Sequence, residues 1–285
     1  QAVLRLLEAL KVEADSSEAK QAQYEVATKL IEVGHLINNS AWVKEGFAEA
    51  KVDGLDFQTE YGSINASPYR DLIRLKITTG DRAGAIDLAD ALIQRLESSG
   101  EALVAKQAKK TKEEDYYRGN DYKTIEAFRA DNKREYQDAL IMKMGLLVSN
   151  KDYTAALKLL DESTLWLTHD AIELLARGDA SPENRRFGWL LAKTLQHSGK
   201  TDAAAMTLEA LLKQDNGYDP AYALYLEIKG ADALGFFDKL FALDQFQERP
   251  LIWKAQHLVN EGDLSAAEAI ATQAIAIDPS DGEQP

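Results

Sequence analysis

The chain has 285 residues, with 33 Lys or Arg against 47 Asp or Glu, a formal net charge of −14. Hydrophobic residues make up 45%, so a core can be buried, while 17 Gly and 6 Pro supply too few turns for a β-sandwich. The absence of cysteine excludes disulfides, thiol catalysis and thiolate zinc sites, and the acidic field opposes nucleic acid and anionic membranes while suiting basic or neutral protein partners.

No apolar run approaches the roughly 20 residues that span a bilayer, so no membrane insertion is expected. The lack of cysteine leans toward an exported bacterial protein of the periplasm. The chain starts at Gln1, which points to a removed targeting segment or a piece of a longer protein. Residues 278–285 read as the lead into a further element.

In chain order, Val3, Leu4, Leu7 and Leu10 share one helix face. Ser16 or Ser17 caps a helix carrying Tyr24, Ala27, Leu30 and Ile31, with its end expected at Gly34. Ser40 is the expected cap of a helix with Trp42, Val43 and Phe47, stopped by Asp53-Gly54. Residues 55–67 lack a period and read as a connection. Ser67-Pro68 starts a helix that runs to Thr79 and Gly80, and another runs from Arg82 to Ser98, with Gly100 after it.

Residues 101–149 are strongly charged and carry Tyr116, Tyr117, Tyr122, Phe128 and Tyr136, with a break at Gly119-Asn120. They read as two long helices projecting from or inserted into the array. From Lys151 onward helix pairs resume, with starts at Ser181-Pro182, Asp219-Pro220 and Arg249-Pro250. About fourteen helices on short turns predict an all-α solenoid of antiparallel helix hairpins. Its expected divisions are N-terminal hairpins over 1–100, a charged insertion over 101–149 and C-terminal repeats over 150–285.

One turn recurs. It stands at Gly80-Asp81-Arg82-Ala83-Gly84-Ala85, Lys151-Asp152-Tyr153-Thr154-Ala155-Ala156, Gly199-Lys200-Thr201-Asp202-Ala203-Ala204 and Gly262-Asp263-Leu264-Ser265-Ala266-Ala267. The first residue ends one helix in the left-handed conformation, and the Ala five residues later lets the second helix pack close. Ala192 and Ala255 stand seven residues before their turns, where the other two units have Ile73 and Met144. Leu195 and Leu258 stand four before.

This small/large alternation resembles the tetratricopeptide repeat family, strongest over residues 182–279. The resemblance implies a right-handed α-solenoid whose first helices line a concave groove that binds peptides. The turns lie 71, 48 and 63 residues apart, not at multiples of the family's period of about 34. Degenerate pairs are therefore expected between them, one over Tyr222 to Phe241, and an extra helix near Trp166 to Arg177.

Catalytic patterns are missing. His35, His169, His197 and His257 have no His partner at metal-ligand spacing, so no metal and no cofactor is expected. Phosphate loops and nucleophile elbows are absent. Residues 106–134 hold nine Lys or Arg and six acids among tyrosines. They read either as a stacking surface for bases or sugars or as a surface helix pair with ion pairs and packed tyrosines.

Carried over by register, the groove of the repeat family implies Arg70 and Arg74 in one unit, Trp189, Lys193, Gln196 and His197 in another, and Ile252, Gln256 and Asn260 beyond them. The competing reading makes Trp189 and Ile252 core and the charges ordinary surface. The family's carboxylate clamp of Lys and Asn is not recognisable. Three functions follow: a protein-interaction scaffold holding a peptide or helical segment, a carbohydrate-active enzyme on a helical toroid, and a sensory or regulatory module of a longer protein.

Overall fold

The computed structural model describes residues 17–52, 55, 65–108, 124–162 and 182–277. It is all-α, with no strand among the described residues. The helices are α1 (Ser17–Leu36), α2 (Ser40–Glu49), α3 (Ser67–Thr78), α4 (Arg82–Gln107), α5 (Ile125–Asp131), α6 (Lys133–Ser149), α7 (Tyr153–Glu162), α8 (Pro182–His197), α9 (Thr201–Gln214), α10 (Asp219–Lys229), α11 (Leu234–Leu243), α12 (Arg249–Glu261) and α13 (Leu264–Ile277). A 3₁₀ turn, Gly230–Ala233, joins α10 to α11. The chain divides into two units, residues 1–146 and 147–285. The expected helices at 1–10 and 166–177, and Tyr116, Tyr117 and Tyr122, lie outside the described residues.

The recurring turn has one geometry. Gly80, Lys151, Gly199 and Gly262 have φ of 85°, 61°, 77° and 83°. In each case the next residue donates its N–H to the carbonyl five positions back: Asp81 to Lys76, Asp152 to Leu147, Lys200 to Leu195 and Asp263 to Leu258. That bond satisfies carbonyls left open at the helix end. Asp81, Asp152 and Asp263 then cap the following helix, their Oδ1 accepting from the N–H of Gly84, Ala155 and Ala266 at 2.9, 3.0 and 3.1 Å. Hydrogen bonds from Lys76, chiefly, and from the Gly84 N–H hold the Asp81 carboxyl below its usual range.

A fifth copy of this turn joins α1 to α2. Asn38 is left-handed at φ 55°, and the Asn39 N–H reaches the Gly34 carbonyl at 2.7 Å. Asn39, not Ser40, is the cap, accepting from the Trp42 N–H. The helix therefore passes through Gly34, expected as its end, and stops at Leu36. Gly34 is a contact point instead: a Cβ there would lie 2.9 Å from the Cβ of Trp42. Gly100, expected after the end of α4, also lies inside its helix. A Cβ there would lie 2.5 Å from Ile125 and Phe128, so the missing side chain is what lets α5 sit on α4.

In the first unit α1 packs on α2 and α3, and α3 on α4. Tyr24, Leu30, Ile31, Leu72 and Leu75 form one core cluster, and Ile73, Ala85, Ala89 and Leu146 another. Residues 101–108 and 124–146 belong to this unit. Phe128 and Tyr136 are buried, Arg129 pairs with Glu97 at 2.7 Å, and Lys143 pairs with Asp90.

In the second unit α8 packs on α7 and α9, and α12 on α13. The expected pair over Tyr222 to Phe241 is present as α10 and α11, whose Tyr222, Tyr225, Phe236 and Phe237 share a core with Leu208, Leu211 and Leu212 of α9. The first helices form a row. α10 packs on α8 and α12 on α10, with Trp253 Nε1 donating to Asp219 Oδ1 at 2.7 Å and the Tyr222 and Trp253 rings stacked at 6.1 Å.

Two tests follow from this packing. At Gly46 a Cβ would meet Ile31 Cγ1 at 2.5 Å and the Ala27 carbonyl oxygen at 2.8 Å. Gly46→Leu should cost about 1–3 kcal/mol of stability in urea unfolding, because backbone must move to admit it. Burial, foremost, raises the phenol pKa of Tyr24, Tyr136, Tyr222 and Tyr225. The folded chain keeps these protons where the unfolded chain loses them, so stability is full below about pH 10 and falls as pH climbs beyond it. Alkaline titration of the unfolding midpoint should show that fall, with a shallower slope in Tyr222→Phe.

Candidate partner-binding groove

The residues expected to line a groove fall in both units. Arg70 is tied down: its Nη2 bonds Glu135 Oε2 at 2.6 Å and Asp138 Oδ2 at 3.0 Å, joining α3 to α6. Arg74 lies one turn on, with 67% of its side chain exposed, and pairs with Asp71 at 3.6 Å. A depression of about 470 Å³ in this unit is lined by His35, Asn38, Phe47, Lys76 and Asp81 among others. Its Lys76 is held by Asp81 at 2.6 Å and lies 4.1 Å from the centre of the Phe47 ring.

In the second unit the α8 residues mostly serve the helix row. The Trp189 indole N–H donates to the Pro220 carbonyl at 3.1 Å, and Gln196 Nε2 donates to Glu227 Oε1 at 2.9 Å. Trp189 is half-buried against the core cluster of α9 to α11. Lys193 Nζ lies 5.4 Å from the Trp189 ring centre. His197 stacks on Tyr153 at 3.8 Å between centroids. Gln196 and Trp189 thus work as fasteners between α8 and α10, which sequence register alone did not reveal.

The α12 residues are different. Ile252 and Gln256 border a groove of about 750 Å³ that runs along α12 and α13. Asn260 is exposed near its edge and accepts from Gln256 Nε2 at 3.4 Å. The floor is small and apolar, made by Ala255, Ala267, Ala271 and Ala274. Val259, Leu264 and Ile275 stand on its walls, each a large apolar side chain that is exposed, at 47%, 65% and 46%. The α13 wall residues were not among those expected from sequence. Their signal was the 3–4 residue spacing of Leu264, Glu268, Ala271 and Ile275, a stripe beside the buried Ala267 and Ala274.

The Gly199 and Gly262 turns align these surfaces residue by residue. Ile252 stands where Trp189 does, Glu268 where Ala205 does, Ala271 where Leu208 does and Ile275 where Leu212 does. In the α8–α9 pair these positions are covered: Ala205, Leu208 and Leu212 are 2%, 0% and 0% exposed, in one cluster with Ala221, Tyr222, Leu224 and Tyr225 of α10. α10 packs on both α8 and α9, and α12 packs in turn on both α10 and α11. Among the described residues no helix follows α13 to do the same. The groove is therefore the site into which each preceding pair receives a helix.

Among the described residues, no group of three or more His, Asp or Glu could hold a metal ion, and no helix is long and apolar enough to cross a membrane. No protein-family model matches the chain, and no curated protein matches it.

The row of first helices can be tested directly. Trp253 joins α12 to α10 through both its stack and its hydrogen bond to Asp219. Trp253→Ala should cost about 3–5 kcal/mol in chemical unfolding, while Trp253→Phe keeps the stack and loses mainly the hydrogen bond, about 1 kcal/mol.

Proposed function

We propose that the chain is a helical-repeat interaction scaffold that takes a helical segment of another protein into the groove along α12 and α13. One observation carries the reading: this groove repeats, by register, a surface that the α8–α9 pair fills with α10. Its depth and apolar floor suit a helix. The all-α architecture and the shared turns support a tetratricopeptide-like α-solenoid as the frame. Ile252 and Gln256 are the expected partner-binding residues that this reading keeps on the groove, with Asn260 near its edge. Arg74, Lys193 and His197 belong to other exposed or partly exposed patches on the scaffold. Arg70, Trp189 and Gln196 are structural within it.

The α10 helix indicates the kind of anchor such a groove accepts, namely apolar side chains at i, i+3 and i+4 from a helix of about three turns. Selection of a random helical peptide library on the whole chain should enrich that spacing. Ala271→Trp, which fills the floor, and Ile275→Arg, which charges the wall, should each weaken the selected peptides at least about tenfold, with circular dichroism unchanged. Selected peptides that bind both variants as well as the parent would remove the groove from the reading.

A further inference from the structure

The groove of the last helix pair differs from its filled counterpart at three charged positions: Glu248 stands where Arg185 does, Gln256 where Lys193 does and Glu268 where Ala205 does. At the position where α9 carries Ala205, covered to 2% exposure, α13 carries Glu268. Glu268 borders the groove and is exposed. A helix lying there as α10 lies on α9 brings its own surface over this carboxylate. A carboxylate stripped of water without a counter-charge is strongly unfavourable, whereas one met by a cation is not.

Among the residues that line the groove the one Lys or Arg is Arg249, which is already met by an acid. Residues 255–277 contain Glu261, Asp263 and Glu268 and no Lys or Arg. Arg249, at the start of α12, lies 3.6 Å from Glu248. The only other cation of α12, Lys254, bonds Asp238 at 2.6 Å. The occupant must therefore bring the positive charge.

We infer that the groove along α12 and α13 selects a basic amphipathic helix, one whose apolar stripe fills the alanine floor and whose flanking Lys or Arg meets Glu268. This rests on the scaffold reading and specifies its partner. A second copy of the chain is disfavoured by the same charges. The unit spanning 147–285 has 12 Lys or Arg against 22 Asp or Glu, and two such grooves face to face would bring together linings that each hold Glu248 and Glu268 against Arg249 alone.

The test uses the whole chain and two labelled peptides of about 18 residues, long enough to form helix in water with a good helix-forming sequence. Both carry Leu and Ala at i, i+3, i+4 and i+7. One has Lys at the flanking positions and the other Glu. Fluorescence anisotropy should show the Lys peptide binding at least about tenfold tighter, with the difference shrinking as salt rises. Glu268→Lys should reverse the preference. Asp202→Lys, the same charge change at a side chain 98% exposed on α9, should leave it intact, which separates a local contact from general attraction to an acidic protein. Ile275→Arg, at an exposed position, should weaken both peptides.

If the two peptides bind equally and Ile275→Arg weakens both, the scaffold reading stands and the charge selection is wrong. If Asp202→Lys acts as strongly as Glu268→Lys, the selection is not made at this groove. Failure of both peptides to bind overturns both readings. A concentration-dependent dimer in sedimentation that Ile275→Arg abolishes assigns the groove to a second copy and overturns the inference.

Discussion

The structure depends on one turn. A left-handed residue reverses the chain, the next N–H closes a bond to the carbonyl five positions back, and in four of the five copies the same next residue caps the following helix with its side chain. Two helix ends, each with unsatisfied backbone groups, are thus served by two adjacent residues. Lys200 is the exception and makes no side-chain cap bond. Lys151 shows that glycine is not obligatory at the first position: its φ of 61° carries a strain of about 1–2 kcal/mol that the surrounding bonds offset.

Once that turn is set, the residues seven before and five after it fall on the helices it joins, and both are buried. Ile73 and Ala85 occupy the positions in one pair, Met144 and Ala156 in another, Ala192 and Ala204 in a third and Ala255 and Ala267 in the last. The second position is Ala in all four. The first is Ile73 in the pair within the first unit, so a large side chain on one helix is accepted where the other offers the methyl group of Ala85. In the α1–α2 pair the fifth residue is Val43, and the small residue is displaced to Gly46, directly against Ile31. Close approach is conserved as a physical requirement of the pair while its position shifts by three residues, one helical step.

That shift explains what could be read from the chain and what could not. Four turns were legible because Gly or Lys, then a polar residue, then Ala at a fixed offset form a local pattern. Asn38-Asn39 carries the same geometry without glycine and without that alanine, so it passed unseen. Gly34 and Gly100 were read as helix ends because a glycine in a helix signals either a stop or a contact, and only the neighbour decides. Their neighbours are Trp42 for one and Ile125 and Phe128 for the other. The candidate site was harder for the same reason. Arg70 finds its acids 65 and 68 residues away, Trp189 finds the Pro220 carbonyl 31 residues on and Gln196 finds Glu227 at the same distance in the chain. No local spacing marks those partners. Ile252 and Gln256 were legible as groove residues because register to the turn places them and nothing beyond α13 among the described residues covers them.

The composition of the open surface argues that it is more than the unfilled end of a row. Where α9 carries Leu208 and Leu211 in the core it shares with α8 and α10, α13 carries Ala271 and Ala274. Leucines left uncovered would expose a broad apolar patch of the kind that drives unspecific association. Alanines in their place lower that cost and leave a depression instead of a ridge. Leu264, Val259 and Ile275 still stand exposed at its sides, so apolar contact is retained at the walls while the floor is recessed. Glu268 adds a charge at a position where the filled pair has a methyl group. On the proposed reading, the recessed floor and apolar walls admit a helix, and Glu268, with Glu248 held beside Arg249 at the start of α12, sets which charges that helix carries, so that specificity needs no large exposed hydrophobic face.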